Sequence, residues 1–392
     1  MGIFMPTPAS LPIRVVAIDD SLTMRHMYQR ILSSCPDIAL IGMAGDGASG
    51  MEMVHALNPD LVLLDIDMPG MDGLAVLSRL REQIPRLPIL MCSTLTQRGA
   101  AITLEALFRG AADYVAKPQV HVTPQAALES FRTPLVERIR ALGARAGREK
   151  AANADRMPAR QQIQQQKTES LSSAVGVIVM GASTGGPQAL EQVLSSLPAD
   201  FPVPVLVVQH IPPMFVPLLA ERLQKNCRLQ VREAAEGASL QAGFVWIARG
   251  DWHLRLVVTE LGGNQSGGND EVVQHISQDA PMHYCRPAVD ALFVSAAETY
   301  GAAALAVVLT GMGSDATDGA RAIRAAGGTV IAQDAATSTI WGMPGSVAQA
   351  GLADAVLPLD QIAGELVRRA CTLASVQPYS SQEANATRQR DQ

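Results

Sequence analysis

The sequence predicts two doubly wound α/β domains joined by a polar linker. Short apolar runs alternate with amphipathic stretches from Ile13 to about Gln119, and the alternation resumes at Val175 and continues to about Arg369. This rhythm is what β/α units around a parallel central sheet produce. The 392 residues are too many for one ordinary core and suit two domains with connecting segments.

Strands and helices are predicted to alternate from the start of the first domain. The predicted strands are Val15 to Ile18, Leu61 to Leu64, Ile89 to Met91 and Tyr114 to Ala116, and the predicted helices are Met24 to Leu32, Leu74 to Leu80 and Ala101 to Phe108. Continuous apolar runs of this length are typical of strands buried on both faces.

A change in composition predicts the linker. A helix is predicted from Leu135 to Leu142 and is expected to stop at Gly143; a polar, Gln-rich run follows from Arg160 to Ser173 and cannot bury enough surface to fold alone. The predicted divisions are a first domain over 13–131, a linker over 132–173, a second domain over 174–370 and a disordered tail over 371–392.

The second domain repeats the α/β alternation. Its predicted strands are Val177 to Met180, Val205 to Gln209, Phe244 to Ile247, Leu254 to Val258, Ala304 to Thr310 and Thr329 to Ala332, and its predicted helices are Gln188 to Leu197, Phe215 to Leu223, Asp290 to Thr299 and Gly319 to Ala326. A polar, Gly-rich insertion is expected around Gly262 to Asp270.

Composition excludes several classes of protein. The formal net charge of -6 and the pI near 5.7 lack the basic surface that nucleic acid binding requires. We expect no signal peptide and no membrane insertion, and therefore a cytoplasmic protein. Five scattered cysteines without CxxC spacing predict neither disulfides nor a zinc site.

Acidic residues follow two predicted strands of the first domain. Asp19 and Asp20 come after the first strand and Asp65 after the second, so the three carboxylates should meet at one edge of the sheet. Such a cluster needs a cation, and oxygen ligands of this kind suit Mg²⁺. Ser93 and Lys117 end two further strands, where a hydroxyl and an ammonium suit a phosphoryl group.

These residues lie in the motifs AIDDS, LLDIDMPGMDGL, MCSTLT and YVAKP, through which the segment from Ile13 to about Gln119 resembles a response-regulator receiver, a flavodoxin-like fold. The resemblance implies roles for individual residues. Asp65 would be the phosphoacceptor; Mg²⁺ would be held by Asp20, Asp65, the Asp67 carbonyl and, through water, Asp19. Ser93 would be the switch hydroxyl and Lys117 the phosphate-sensing cation.

Two simpler interpretations stay open for this domain. Asp19 and Asp20 could be a capping pair before the helix that starts near Ser21. Capping does not explain Asp65 at a strand end or Lys117 before a proline. Tyr114 could be a rotameric switch or a plain core aromatic.

A glycine-rich turn in the second domain presents a serine. The strand from Val177 to Met180 runs into GASTGGP and then a helix, which holds Ser183 at a strand-to-helix elbow of the G-x-S-x-G type. Glycine-rich turns of this kind also bind dinucleotide phosphates. The spacing here is not G-x-G-x-x-G, and no acidic residue ends a strand about 20 residues later.

A histidine and an aspartate end neighbouring predicted strands. His210 follows the next strand in VVQHIPP and is placed to act as a base for Ser183, and Asp315 in LTGMGSDATDG is placed to orient it. A backbone NH near Met312 could help to hold an oxyanion. The chain order Ser, His, Asp differs from that of α/β-hydrolases.

The motifs GASTGGP, QHIPP, RPAVDALF and LTGMGSDATDG resemble the CheB family of protein-glutamate methylesterases from Val175 to about Leu366. The resemblance implies Ser183 as nucleophile, His210 as general base and later acid, Asp315 as the orienting carboxylate and Thr184 as an assisting hydroxyl. The family more often has Asn and Gly around the acid, so Asp318 competes with Asp315. No chemical role is assigned to Arg286, Asp290 or Met343, which lie in family-like stretches near the expected cleft.

The two resemblances together imply a phosphorylation-activated methylesterase that hydrolyses glutamyl methyl esters on chemoreceptors, with a histidine kinase as phosphodonor. Ester hydrolysis itself would need no metal. The family also suggests deamidation of receptor glutamines. The alternatives are a non-enzymatic phospho-dependent adaptor and, less in keeping with the sequence, a transcription factor, which would need a helix-turn-helix and a basic output domain.

Overall fold

The computed structural model describes residues 11–94, 96–118, 124–154, 175–259 and 271–371. Within these residues the first domain has five strands: β1 (Ile13–Ile18), β2 (Ile38–Ala44), β3 (Leu61–Asp65), β4 (Ile89–Ser93) and β5 (Asp113–Ala116). All neighbouring strands are parallel, in the order β2-β1-β3-β4-β5. This is the doubly wound flavodoxin-like order, so the predicted fold class is confirmed for this half.

Helices cover both faces of this sheet. They are α1 (Leu22–Leu32), α2 (Gly47–Leu57), α3 (Gly73–Gln83), α4 (Gln97–Phe108) and α5 (Pro124–Ala154). A side-chain oxygen caps each of the first four by accepting a backbone NH from the first turn; the caps are Ser21, Asp46, Asp72 and Thr96. Because Ser21 caps α1, capping does not account for Asp19 and Asp20.

Helix α5 corrects the predicted linker. The helix does not stop at Gly143 but continues to Ala154, and Phe131, Leu135 and Ile139 are buried in the core of the first domain. A Cβ on Gly143 would lie 2.6 Å from a methyl group of Ile13, so this glycine permits close packing instead of ending the helix. A linker beginning at residue 132 therefore starts too early.

Nine strands lie in the described part of the second domain: β6 (Val177–Ala182), β7 (Val205–Gln209), β8 (Gln230–Glu233), β9 (Phe244–Ile247), β10 (His253–Thr259), β11 (Glu271–Ser277), β12 (Ala304–Val308), β13 (Thr329–Gln333) and β14 (Ala355–Leu357). Seven form a parallel sheet in the order β14-β13-β12-β6-β7-β9-β8. The predicted strand from Leu254 to Val258 exists as β10 but pairs antiparallel with β11 outside that sheet. The predicted insertion around Gly262 to Asp270 lies outside the described residues.

The helices of the second domain are α6 (Gly186–Ser195), α7 (Val216–Asn226), α8 (Val289–Tyr300), α9 (Thr317–Ala325), α10 (Met343–Gln349) and α11 (Leu359–Cys371). Strand β6 lies between β7 and β12. The strands that follow β6 in sequence are therefore added first on one side of it and later on the other. Ligands bind at such a switch point, beyond the carboxyl ends of the strands. Ser183, His210 and Asp315 all follow the strands around this point.

Among the residues that the structure describes, no helix combines the length and the apolar character needed to span a bilayer. The five cysteines are all free thiols.

Candidate functional site

The elbow after β6 requires glycine at two positions. Gly185 has a φ of 77°, and a Cβ there would lie 2.3 Å from the Thr339 hydroxyl oxygen. A Cβ on Gly186 would lie 1.9 Å from the side-chain oxygen of Gln209. The Gln209 amide also donates to the Ser183 carbonyl at 2.9 Å. The turn is thereby held at a fixed position between two strand ends, with Ser183 at its tip.

His210 and Asp315 form a direct pair. Nε2 of His210 lies 2.8 Å from a carboxylate oxygen of Asp315. The same carboxylate accepts the backbone NH groups of Val289 at 2.7 Å, Asp290 at 2.9 Å and Ala316 at 2.9 Å. Two of these donors begin α8, whose positive N-terminal dipole favours the ionised acid. These hydrogen bonds stabilise the buried Asp315 side chain as a carboxylate anion.

Asp318 is not the partner of His210. Its carboxylate lies 3.6 Å from Nε2 of His283 and accepts a hydrogen bond from Arg321. Ala316, which follows Asp315 directly, is held at a φ of 90°. For an alanine, this left-handed conformation costs about 1–2 kcal/mol.

The second ring nitrogen of His210 is the one available to a substrate or a nucleophile. Because Nε2–H is assigned as the donor to Asp315, Nδ1 carries the free lone pair of the neutral ring. The half-buried thiol of Cys285 lies 3.9 Å from Nδ1. A base acting through this ring would therefore use Nδ1, next to a cysteine.

The pair shifts both pKa values. Burial alone would lower the pKa of His210, but the hydrogen bond to Asp315 and the contact with Cys285 raise it to about 9. Burial alone would raise the pKa of Asp315, but the hydrogen bond from His210 and the backbone NH groups hold it below its usual value. At neutral pH the resting pair is an imidazolium and a carboxylate.

Ser183 and His210 line one small cavity of about 40 Å³. Within the described residues, the Ser183 hydroxyl makes no hydrogen bond, so the two side chains share a cavity without a hydrogen bond between hydroxyl and imidazole. The cavity has room for only a few water molecules. Part of its wall comes from the first domain, through Leu107, Asp113, Tyr114 and Arg138.

The first domain binds the residue next to Ser183. The Thr184 hydroxyl donates to a carboxylate oxygen of Asp113 at 2.6 Å, and Nε of Arg138 lies 3.2 Å from the same oxygen. The prediction that this hydroxyl assists His210 does not fit the arrangement seen here, because the hydroxyl is engaged by the first domain.

Further contacts extend this interface. Arg222 on α7 pairs with Glu105 at 3.3 Å, and its guanidinium lies 4.9 Å from the ring centroid of Phe108. The rings of Tyr114 and Phe215 are 5.1 Å apart, which makes Tyr114 a packing residue of the interface. The contacts come from α4, β5 and α5, and together they cover the elbow.

Two backbone NH groups near Ser183 are free to donate. The NH groups of Thr184 and Met312 have no acceptor among the described residues, whereas the NH of Gly311 donates to the Ile340 carbonyl at 3.0 Å. A Cβ on Gly311 would lie 2.8 Å from that of Ser183, so the Met312 loop approaches the elbow closely. NH groups without another acceptor are the donors that an oxyanion beside Ser183 would use.

The acidic residues of the first domain also meet. Nζ of Lys117 lies 2.7 Å from the Asp65 carboxylate and 3.0 Å from that of Asp19. The Tyr28 hydroxyl donates to the same Asp19 oxygen at 2.9 Å. Asp20 and Asp67 are exposed beside this buried group. The structure thus brings together the carboxylates that the sequence predicted to converge.

This pocket fits a divalent cation. Ligand oxygens of Asp19, Asp20 and Asp65 all lie within 4.8 Å of one another. Burial, with a smaller contribution from nearby Asp19, raises the pKa of Asp65 to about 6 despite the hydrogen bond from Lys117. Crowded oxygen ligands with too little compensating charge are what Mg²⁺ neutralises.

Ser93 is turned toward α4 in this conformation. Its hydroxyl accepts a hydrogen bond from Thr103 at 2.6 Å and donates to the Thr94 carbonyl at 3.2 Å. Thr103 lies on α4, the helix that packs against the second domain. The predicted switch hydroxyl is therefore linked to an interface helix.

Sequence reasoning missed several residues of this site. Gln209 holds the elbow, and its signal was a polar residue at the end of a buried apolar strand. Asp113 and Arg138 needed the docked arrangement of the domains, and Cys285 has no motif that would point to His210.

Comparisons with known proteins agree on both halves of the chain. Family models for a response regulator receiver domain and for CheB methylesterase match residues 15–128 and 178–366. A protein-glutamate methylesterase/protein-glutamine glutaminase of Trichodesmium erythraeum is 43% identical over 357 residues, covering 91% of this chain and 98% of the relative. One of Nocardioides sp. is 45% identical over 359 residues, covering 91% and 95%. The Thermotoga maritima CheB methylesterase catalytic domain is 42% identical, with a TM-score of 0.46, and covers 50% of this chain and 99% of that one.

Proposed function

Because the chain belongs to the protein-glutamate methylesterase/protein-glutamine glutaminase family, we propose that it hydrolyses glutamyl methyl esters on chemoreceptors under the control of phosphorylation at Asp65. The observation that carries the hydrolytic assignment is the pairing of His210 with Asp315 beside an elbow serine. Relatives named as enzymes over nearly the full length leave the adaptor alternative without support.

The esterase chemistry follows from these side chains. The Ser183 oxygen attacks the ester carbonyl as Nδ1 of neutral His210 takes the hydroxyl proton. The tetrahedral intermediate collapses, and the imidazolium gives that proton to the departing methanol. Water then attacks the acyl-enzyme with the same base, which releases the glutamate side chain and restores Ser183. Asp315 holds the ring and stabilises its charged form throughout.

The oxyanion is proposed to bind at the elbow. The free NH groups of Thr184 and Met312 are the candidates, and one such donor typically contributes about 3–4 kcal/mol to catalysis. Receptor glutamines would follow the same acyl-enzyme route, with ammonia leaving in place of methanol. No step of this chemistry is assigned to a metal.

The receiver is proposed to accept a phosphoryl group from a chemotaxis histidine kinase. Asp65 would be the nucleophile, and Lys117 would pair with the phosphoryl oxygens in place of a carboxylate. Asp19, Asp20, Asp65 and the Asp67 carbonyl would hold Mg²⁺, which when bound would neutralise the carboxylates and the phosphoryl oxygens.

The docked receiver is proposed to keep the unphosphorylated enzyme inactive. A cavity with room for a few waters does not hold a glutamyl ester, and receiver side chains form part of its wall. Movement of Ser93 toward a phosphoryl group on Asp65 would break its hydrogen bond with Thr103 and disturb α4. The closed population would then fall in favour of an open one.

We expect the activity to rise with pH across the neutral range. The raised pKa of His210, about 9, keeps most of the ring protonated below that pH, and only the neutral ring accepts the Ser183 proton. The pH profile of kcat/KM for methanol release measures this ascending limb. Cys285→Ala should move the limb to lower pH, whereas Cys371→Ala, which alters an exposed thiol, should not. A limb near the ordinary value of about 6.5 in the unaltered enzyme would contradict the assignment.

The proposed function is tested by measuring methanol release from methylated receptor membranes with and without a phosphodonor. We expect the phosphodonor to stimulate release. Asp65→Asn should retain the basal rate and lose the stimulation, because the phosphoacceptor is gone while the esterase residues are unchanged. Failure to release methanol under any of these conditions would refute the esterase assignment.

A further inference from the structure

A tight turn directs His283 toward the starts of two helices. The Met282 NH donates to the Cys285 carbonyl at 3.1 Å, and the Cys285 NH donates back at 2.8 Å. The two central residues, His283 and Tyr284, have φ values of 48° and 63°, as in a type I′ turn. The Tyr284 side chain is fully exposed, whereas the His283 side chain lies against the first turn of α8.

Two carboxylates face the imidazole of His283. Its Nε2 lies 3.1 Å from Oδ2 of Asp290, in the first turn of α8, and 3.6 Å from Oδ2 of Asp318, in the first turn of α9. The other oxygen of each carboxylate is already in use. Oδ1 of Asp290 accepts the Gly319 NH at 2.6 Å, and Oδ1 of Asp318 accepts from Arg321.

Oδ2 of Asp290 is a buried carboxylate oxygen without a hydrogen bond. Asp290 is 0% exposed, and no described group donates a hydrogen bond to this oxygen, although Nε2 of His283 lies 3.1 Å from it. Buried carboxylate oxygens normally accept a hydrogen bond, because leaving one without a donor is unfavourable. The unpaired oxygen points into the space between His283 and Asp318, where a cation would compensate it.

The neighbouring cluster of His210, Cys285 and Asp315 also has metal-ligand types within reach. That carboxylate, however, already accepts four hydrogen bonds. Both of its oxygens accept hydrogen bonds, whereas Oδ2 of Asp290 accepts none. The geometry therefore favours the His283 cluster.

We propose that His283, Asp290 and Asp318 bind a divalent transition-metal ion of the Zn²⁺ type, with the remaining position open to solvent. Tetrahedral Zn²⁺ with ligands at about 2.0–2.1 Å separates them from one another by about 3.3 Å. The separations of 3.1 and 3.6 Å found here bracket that value. One imidazole with two carboxylates is a ligand set suited to Zn²⁺, whereas Mg²⁺ and Ca²⁺ prefer oxygen ligands alone.

A bound ion would join three parts of the second domain. It would tie the turn that carries Cys285 to the first turns of α8 and α9. The backbone NH of Asp290 also donates to Asp315. The same residue would therefore contact both the ion and the carboxylate that orients His210. The site is thus a clamp for the loop beside the proposed catalytic histidine.

The test is titration of the metal-free full-length protein with Co²⁺, followed by visible absorption, with excess Mg²⁺ present to occupy the receiver pocket. We expect one Co²⁺ per chain with tetrahedral d–d bands. His283→Ala and Asp318→Asn should each weaken binding at least tenfold. Both side chains are exposed, at 45% and 61%, so these changes should not impair folding, unlike a change at buried Asp290.

His275→Ala is the matched control, because His275 is another exposed histidine 3.0 Å from a carboxylate, that of Glu236, and should leave Co²⁺ binding unchanged. As a second readout, Zn²⁺ should slow hydrogen exchange of the Met282 and Cys285 amides in the unaltered protein but not in His283→Ala. Absence of binding, or binding that His283→Ala leaves intact, would overturn the proposal. So would a thiolate-to-cobalt absorption band that Cys285→Ala removes, since that band would locate the ion at His210.

Discussion

Ser183→Ala is expected to lower kcat for methanol release from methylated receptors by at least about 10⁴-fold. The substitution removes the only atom proposed to bond covalently to the substrate, while the free NH groups of the elbow stay in place. Phosphorylation of Asp65 should proceed at the unaltered rate, because that pocket lies in the other domain. Methanol release and incorporation of labelled phosphate, measured on the same preparation, separate the two activities.

Ser196→Ala is the matched control for this substitution. Ser196 lies just beyond the other end of α6 with its hydroxyl bonded to the Gln192 carbonyl. It should behave as the unaltered enzyme. Substantial esterase activity in Ser183→Ala would mean that another group is the nucleophile and that the elbow serves a different purpose.

Asp113→Asn is expected to raise the activity of the unphosphorylated enzyme by about 10- to 100-fold. The change weakens the hydrogen bond from Thr184 to a charged acceptor, and such bonds contribute about 1.5–3 kcal/mol. The closed population should fall accordingly, and a phosphodonor should then add little further stimulation. Basal methanol release, with and without the phosphodonor, measures the effect.

Asp37→Asn provides a control of the same type. Asp37 is also a receiver carboxylate paired with an arginine of α5, Arg140, but it is exposed and makes none of the interface contacts described above. It should leave the basal rate unchanged. If Asp113→Asn were as inactive as the unaltered enzyme, the docked contact would not be what restrains the esterase.

The buried strands were the part of the fold that the sequence predicted best. Runs such as Leu61 to Leu64 and Val205 to Val208 are apolar throughout because both faces of a parallel sheet are covered. Strand β2 and helix α2 were missed, because β2 is a half-buried edge strand and α2 is rich in glycine and small residues. Boundaries failed where tertiary packing decides them, as at Gly143.

The site was predictable as far as strand ends determine it. Ser183, His210 and Asp315 follow strands that meet at one edge, so the sheet alone brings them together. What the sequence does not encode locally is the partner each polar group finds across the fold. The Thr184 hydroxyl faces another domain, and Asp318 faces a histidine some thirty-five residues away in the chain.

Arg138 gives the docked state a particular energetic character. When the domains separate and the Thr184 hydroxyl no longer contacts Asp113, that carboxylate keeps its ion pair with Arg138 of its own domain. Separation therefore leaves no buried charge without a partner. Separation therefore avoids the large penalty of an orphaned ion, and the two arrangements can lie close in free energy. Inverting a 99:1 distribution takes about 5.5 kcal/mol of differential stabilisation, which a doubly charged group on Asp65 can supply by favouring one arrangement. After hydrolysis of the acyl phosphate, Asp113 would still be ionised and held by Arg138, ready to accept the Thr184 hydroxyl again.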